Sequence, residues 1–216
     1  MPATTIIGID LAGPSNAADT AMVVARASGT SLEVLEATIG HSDTAILAYA
    51  RRLGPAPCVF ALDAPLSYND GGGDRPGDKH LRRAIIDRGL ASGSVMPPTM
   101  NRMVYLTLRG VALARGLLAV TDGSARIVEV HPGAAMALRN APVDAVRGYA
   151  KDPAARHRLL AWLPTQGIRG LHPALAQTSH QVASVAAALA GWGWDRNRSV
   201  FCWAAAPPLH PFDFAC

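Results

Sequence analysis

Cysteine is scarce in this sequence. Cys58, Cys202 and Cys216 are the only three, an odd number and widely spaced, with no CxxC pair and no histidine at zinc-ligand spacing. A disulfide framework and a structural zinc site are therefore excluded. Two of the thiols are expected to act as small apolar residues and Cys216 to be an exposed terminal thiol. Charge is also sparse: 17% of the 216 residues are charged and 50% are apolar, which excludes a disordered or fibrous chain. No apolar run reaches the ~18 residues of a membrane span, and the N-terminus has no basic segment followed by a cleavable apolar one. The expected compartment is the cytoplasm, with no membrane partner. Aromatic residues make up 6% of the chain, too few for a row of exposed stacking platforms for single-stranded bases. Trp162, Trp192, Trp194 and Trp203 read as packing residues.

Lysine occurs twice (Lys79, Lys151) and glutamate three times (Glu33, Glu36, Glu129), so arginine supplies nearly all the positive charge. A net charge of +4 and a pI near 9.3 permit an anionic partner such as nucleic acid without requiring one. Arginine suits phosphate contacts. Two familiar catalytic motifs are missing: Gly72 to Lys79 does not have the spacing of a phosphate-binding loop, and Ser67 is not in a GxSxG elbow.

What is present is an alternation of strands and helices. Thr4–Leu11, Thr20–Arg26 and Ser31–Thr38 read as strands, the last two joined by a turn short enough for a hairpin. Asp43–Leu53 has helical spacing with Ser42 or Asp43 as N-cap. Cys58–Ala64 reads as a fourth strand, Tyr68–Gly77 as a mobile glycine-rich loop, and Asp78–Arg88 as a helix. A longer helix follows Met96–Thr99, its apolar face carrying Val104, Leu108, Val111 and Ala112. Arg126–His131 is a fifth strand. Thr178 and Gln181 have capping-box spacing before an alanine-rich helix that ends near Gly191. The first three strands should form a meander, and strands one, four and five should be parallel. One α/β domain over residues 1–216 is expected, with a loop and helix excursion at about 67–100 and no linker.

Three carboxylates stand out. Asp10 and Asp63 each end an apolar strand, and Glu129 lies inside the apolar IVEVH. A carboxylate in such surroundings must be paired, hydrogen-bonded or metal-bound. Each has an ordinary explanation, as a turn cap or an arginine partner, but the three could converge at one sheet edge, where open α/β sheets bind ligands. Such a set favours Mg²⁺ or Mn²⁺, as one ion or two. His131, two residues beyond Glu129, should share its face and could assist proton transfer or merely hydrogen-bond at the strand end. Arg75, Arg82 and Arg83 flank the glycine-rich loop and could grip phosphates or form a solvated helix face.

The segments GIDLAG (8–13), ALDAPLS (61–67), RPGDKHLRR (75–83), MPPT (96–99) and VEVHPGA (128–134), in this order, resemble the DUF429 family of predicted ribonuclease H-like nucleases. The resemblance spans about Ile6 to Trp192. It implies a ribonuclease H-like mixed five-stranded sheet flanked by helices, ordered 3-2-1-4-5 with strand 2 antiparallel, and a metal-dependent phosphodiester hydrolase. By matching motifs it makes Asp10, Asp63 and Glu129 the acidic core, and places Arg75 and Asp78 in a family segment of less certain role. The last helix of the family usually supplies an aspartate; here His180 and Ser184 stand at the expected positions, sharing a helix face. His180 then becomes a candidate metal ligand or base, or a surface or capping residue.

Three functions follow as expectations. The first is a Mg²⁺- or Mn²⁺-dependent nuclease acting on DNA or RNA. The second is a protein that binds nucleotide or nucleic acid on the same fold without turnover. The third is a phosphotransferase of the actin-like and sugar-kinase kind, which would need a homodimer to complete its cleft.

Overall fold

The computed structural model describes residues 4–54 and 56–216. A mixed sheet of eight strands runs through the molecule, flanked by helices on both faces. The strands are β1 (Thr4–Asp10), β2 (Ala21–Ser28), β3 (Ser31–Ile39), β4 (Cys58–Asp63), β5 (Arg126–Val130), β6 (Ile168–Arg169), β7 (Cys202–Trp203) and β8 (Phe214–Ala215). Their order is β6-β3-β2-β1-β4-β5-β8-β7. The expected order 3-2-1-4-5 thus forms only the middle of a longer sheet, and the five-stranded expectation is corrected to eight. β1–β2 and β2–β3 are antiparallel; β1–β4 and β4–β5 are parallel. The additional strands are two residues long, too short to show a period of two in the sequence.

The helices are α1 (Asp43–Leu53), α2 (Pro76–Ile86), α3 (Met103–Val120), α4 (Pro132–Leu138), α5 (Val143–Gly148), α6 (Pro153–Trp162) and α7 (Ser179–Asp195). Ser42 caps α1 by accepting from the Ala45 N–H, and the Thr178–Gln181 capping box opens α7. α7 runs four residues past Gly191, the expected end. The sheet separates two cores. Ile6, Ala61, Val59, Val128 and Val130 face α7, whereas Ile7, Ile9, Phe60, Leu62 and Ile127 pack with Leu113 and Leu117 of α3.

Small residues bring α7 down onto β1. A Cβ on Gly8 would lie 2.2 Å from the Ser184 carbonyl oxygen, so only glycine admits this approach. The face of α3 differs from the expected one. Gly110, Leu113, Ala114 and Leu117 are buried, whereas Leu108 is 63% exposed. The helix is apolar nearly all round, so periodicity could not choose the face. Gly110 decides it, because a Cβ there would come within 2.9 Å of the Pro65 carbonyl oxygen. α3 is long and apolar enough by length and composition to cross a membrane, with a mean hydropathy of 1.5 over 18 residues. In the fold it is a sheet-packing helix whose Arg109 is buried, donating to the Ala12 carbonyl at 2.6 Å and to Thr20 Oγ1 at 2.8 Å. The thiols are also reassigned: Cys216 is buried beside β5, and Cys202 is the exposed one.

Candidate active site

Parallel register brings Asp10 and Asp63 side by side at the C-terminal ends of β1 and β4. Both follow inward-facing residues of the α7 side, Gly8 and Ala61, by the alternation of strands, so both carboxylates point to that side. The pairing has an electrostatic consequence. Burial, reinforced by the charge of Asp10, a hydrogen bond with Asp10 and the charge of Glu129, holds the Asp63 carboxyl well above the usual aspartate range.

His180, in the first turn of α7, reaches Asp10: its Nδ1 lies 2.6 Å from Asp10 Oδ2. This hydrogen bond outweighs partial burial and raises the imidazole above its ordinary value, with the charges of Asp10 and Asp19 adding to the effect. The approach depends on the close packing of α7 at Gly8. Ser184, one turn further along, is buried and donates to the Gln181 carbonyl at 2.9 Å, which leaves it a helix-internal residue.

Glu129 does not join the pair. It is in register with Leu62, one residue before Asp63, and follows Ile127 in alternation, so it points toward the α3 side. There it is clamped by Arg75, which is 1% exposed. Arg75 Nη1 donates to Glu129 Oε2 at 2.7 Å and Nη2 donates to Oε1, while the Leu66 N–H donates to Oε2 at 2.8 Å. The same guanidinium donates to both oxygens of Asp78, at 3.0 and 2.8 Å, and to Ser67 Oγ at 3.0 Å. Burial alone would lower the Arg75 pKa, but Glu129 and Asp78 together lift it above the ordinary arginine value. The convergence of three carboxylates expected from the strand ends is therefore corrected to a pair on one face and an ion-paired glutamate on the other. Among the described residues, no three of His, Cys, Asp and Glu gather as a metal-binding group.

The remaining site residues are drawn into structural bonds. His131 caps α4: its Nδ1 accepts from the Ala134 N–H at 3.2 Å, and its Nε2 lies 2.7 Å from the Ser94 carbonyl oxygen. The ring must then carry its proton on Nε2, and burial lowers its pKa, so one nitrogen is taken up in capping and the other in the bond to Ser94. Arg75 and Asp78 are buried in the Glu129 clamp, not open to a phosphate. Arg82 grips Asp74 with two bonds of 2.6 Å and donates to the Val95 carbonyl at 2.8 Å, tying the glycine-rich loop to α2. Of Arg75, Asp78, Arg82 and Arg83, Arg83 alone is exposed.

Two groups escaped the reading of the sequence. Tyr149, at the end of α5, lies close enough to the carboxylate pair that burial, then Asp63 and Asp10, raise its phenol. Cys216 is pushed up to about 12, chiefly by burial, with Asp63 and Glu129 contributing. Neither belongs to a local motif, and α5 and β8 carry no periodic signal. Beside Asp63 and the Glu129 clamp lies a cavity of about 240 Å³, walled further by Met96, Met103, Leu106 and Phe214.

The carboxylate pair suits a hard cation. Two oxygen ligands from aspartates, with water and phosphate oxygens completing the shell, are the way Mg²⁺ is commonly held. A cation would also offset the burial and the neighbouring negative charge that together raise Asp63. The donor set fits one ion better than two, because Glu129 is engaged elsewhere.

A protein-family model described as a protein of unknown function, DUF429, matches residues 8–207. No curated protein and no solved structure matches the chain significantly.

Proposed function

The chain belongs to the DUF429 family, and from that premise we propose that it is a divalent-cation-dependent phosphodiester hydrolase acting on DNA or RNA, on a ribonuclease H-like sheet extended at both edges. The observation that carries the reading is the register of Asp10 with Asp63 at the ends of adjacent parallel strands. Asp10 and Asp63 would hold one Mg²⁺ or Mn²⁺, whose chemistry is to polarise a phosphate oxygen and to generate a hydroxide nucleophile near neutral pH. His180 orients Asp10 through Nδ1, and its raised pKa suits it to carry a proton for the leaving oxygen. The Arg75–Glu129–Asp78 cluster keeps the loop after β4 in place, since the Leu66 N–H and Ser67 Oγ both bond to it. Its role is positioning.

Purified protein is expected to cleave a DNA or RNA substrate in Mn²⁺. Asp10→Asn should abolish the cleavage and EDTA should stop it. Equal turnover by the variant, or in EDTA, overturns the proposal.

A second reading has its own support. With Glu129 committed to Arg75 and no acid in the first turn of α7, the site has two carboxylate ligands, which also suits binding of a nucleotide or nucleic acid without turnover. Calorimetric binding with no product after prolonged incubation in Mn²⁺ would favour it.

A further inference from the structure

At the opposite end of β1 from Asp10, about 20 Å away at ~3.3 Å per strand residue, a cavity of about 390 Å³ opens between the β2–β3 turn and the end of α7. Arg139, Arg196 and Arg198 line it with Trp192, Thr165 and Gln166, and no acidic residue does. Three guanidiniums together without a carboxylate repel one another unless an anion lies between them.

The ordinary explanation for arginines at a helix C-terminus is that they bond its last carbonyls. Here backbone amides already do so. The Arg196 N–H donates to the Trp192 carbonyl at 3.2 Å, Asn197 N–H to Trp194 at 3.0 Å, and Arg198 N–H to Gly193 at 2.7 Å. The end of α7 is thus closed by backbone amides and not by the Arg196 or Arg198 side chains. Arg139 donates to the Ala135 carbonyl at 3.1 Å, and Arg196 to the Gly29 carbonyl. Neither these two nor Arg198 has an acidic partner among the described residues.

Trp192 also lines the cavity and is 8% exposed, so its indole forms an apolar wall beside the arginines. Burial draws the Arg139 guanidinium below its usual value, offset in part by the charge of Cys216.

We propose that the cavity formed by Arg139, Arg196, Arg198 and Trp192 binds the phosphate group of a small molecule, at a site separate from the Asp10–Asp63 pair. Forked guanidiniums match phosphate oxygens two at a time. The volume falls within the range of small-ligand sites.

The test is calorimetry on the full chain in EDTA, which silences any cation-dependent binding, with inorganic phosphate and AMP as separate titrants. Saturable binding is expected, weakened about tenfold or more by Arg196→Ala with Arg198→Ala, as expected for loss of charge-assisted bonds. Both of these residues are exposed, so the variant should keep the parent's circular dichroism. Arg139→Lys, which keeps the charge and loses the fork, should weaken binding as well. Asp10→Asn should bind AMP as the parent does, which separates this site from the proposed hydrolase centre. Tighter binding of AMP than of phosphate assigns a monoester; equal binding assigns free phosphate; both support the site. Absence of saturable binding by either at millimolar concentration overturns it, as does unchanged affinity in the arginine variants. An oligonucleotide whose binding requires the same arginines but resists competition by AMP would overturn the small-molecule assignment.

Discussion

Asp63 lies in register with Asp10 on the neighbouring parallel strand, and this arrangement fixes how the cation-free protein responds to pH. A carboxyl whose folded pKa is raised contributes stability below its unfolded value, 3.8, and loses it as pH rises through the folded value. In EDTA the parent should therefore melt below Asp63→Asn at pH 8, and the gap should close as the pH falls toward 3.8. Added Mn²⁺ should reverse the ranking, raising the melting temperature of the parent and leaving Asp63→Asn unmoved. Saturation a hundredfold above Kd is worth about 2.7 kcal/mol. A thermal shift equal in both proteins would remove Asp63 from the cation site. Arg75 presents the reverse case, one cation satisfying two buried carboxylates. Arg75→Lys cannot reproduce the fork and should cost about 3–5 kcal/mol in urea denaturation. A loss below about 1 kcal/mol, the range of exposed pairs, would show that the cluster is more open to water than its burial indicates.

At the scale of elements, the contact of α7 with β1 links packing to the site. Gly8→Ala would place a methyl group against the Ser184 carbonyl and the Ala188 backbone. The helix must move away, at a cost of about 1–3 kcal/mol. His180 should move with it, and its NMR-titrated pKa should fall back toward 6.5 as the bond to Asp10 lengthens. An unchanged titration with lowered stability would mean that the helix yields elsewhere. The same element shows how much the sequence revealed. β1 to β5, the Ser42 cap and the Thr178–Gln181 box were legible because each rests on a local signal: alternation, a breaker or a cap spacing. Asp10 and Asp63 were legible as charged ends of apolar strands. Glu129 was misplaced because its face depends on β4–β5 register, which no single strand records. Arg75 as its partner lies 54 residues away and could not be read from either segment. The exposed side of α3 was misjudged for a similar reason: both sides are apolar, and Gly110 against Pro65 makes the choice.

Across the whole molecule, the C-terminal residues hold the site's far wall. Asp213 accepts from the Glu129 N–H at 2.9 Å, β8 pairs with β5, and the Arg75 guanidinium lies over the Phe214 ring at 5.4 Å. Cys216 is sealed against β5 while Cys202 stays exposed. A thiol reagent should consequently titrate one group quickly in the native protein, and Cys202→Ser should remove that phase. Two fast thiols would mean that β8 opens under native conditions. β8 also imposes an order of events during synthesis. Glu129 leaves the peptidyl-transferase centre more than eighty residues before Phe214, a delay of roughly 4–17 s at about 5–20 residues per second. Through that interval β5 is an edge strand, and Glu129 lacks the carbonyl that its amide bonds to in the finished fold. A nascent chain would thus carry an unfinished clamp, and the loop after β4 would reach its final setting only once β8 had been laid down.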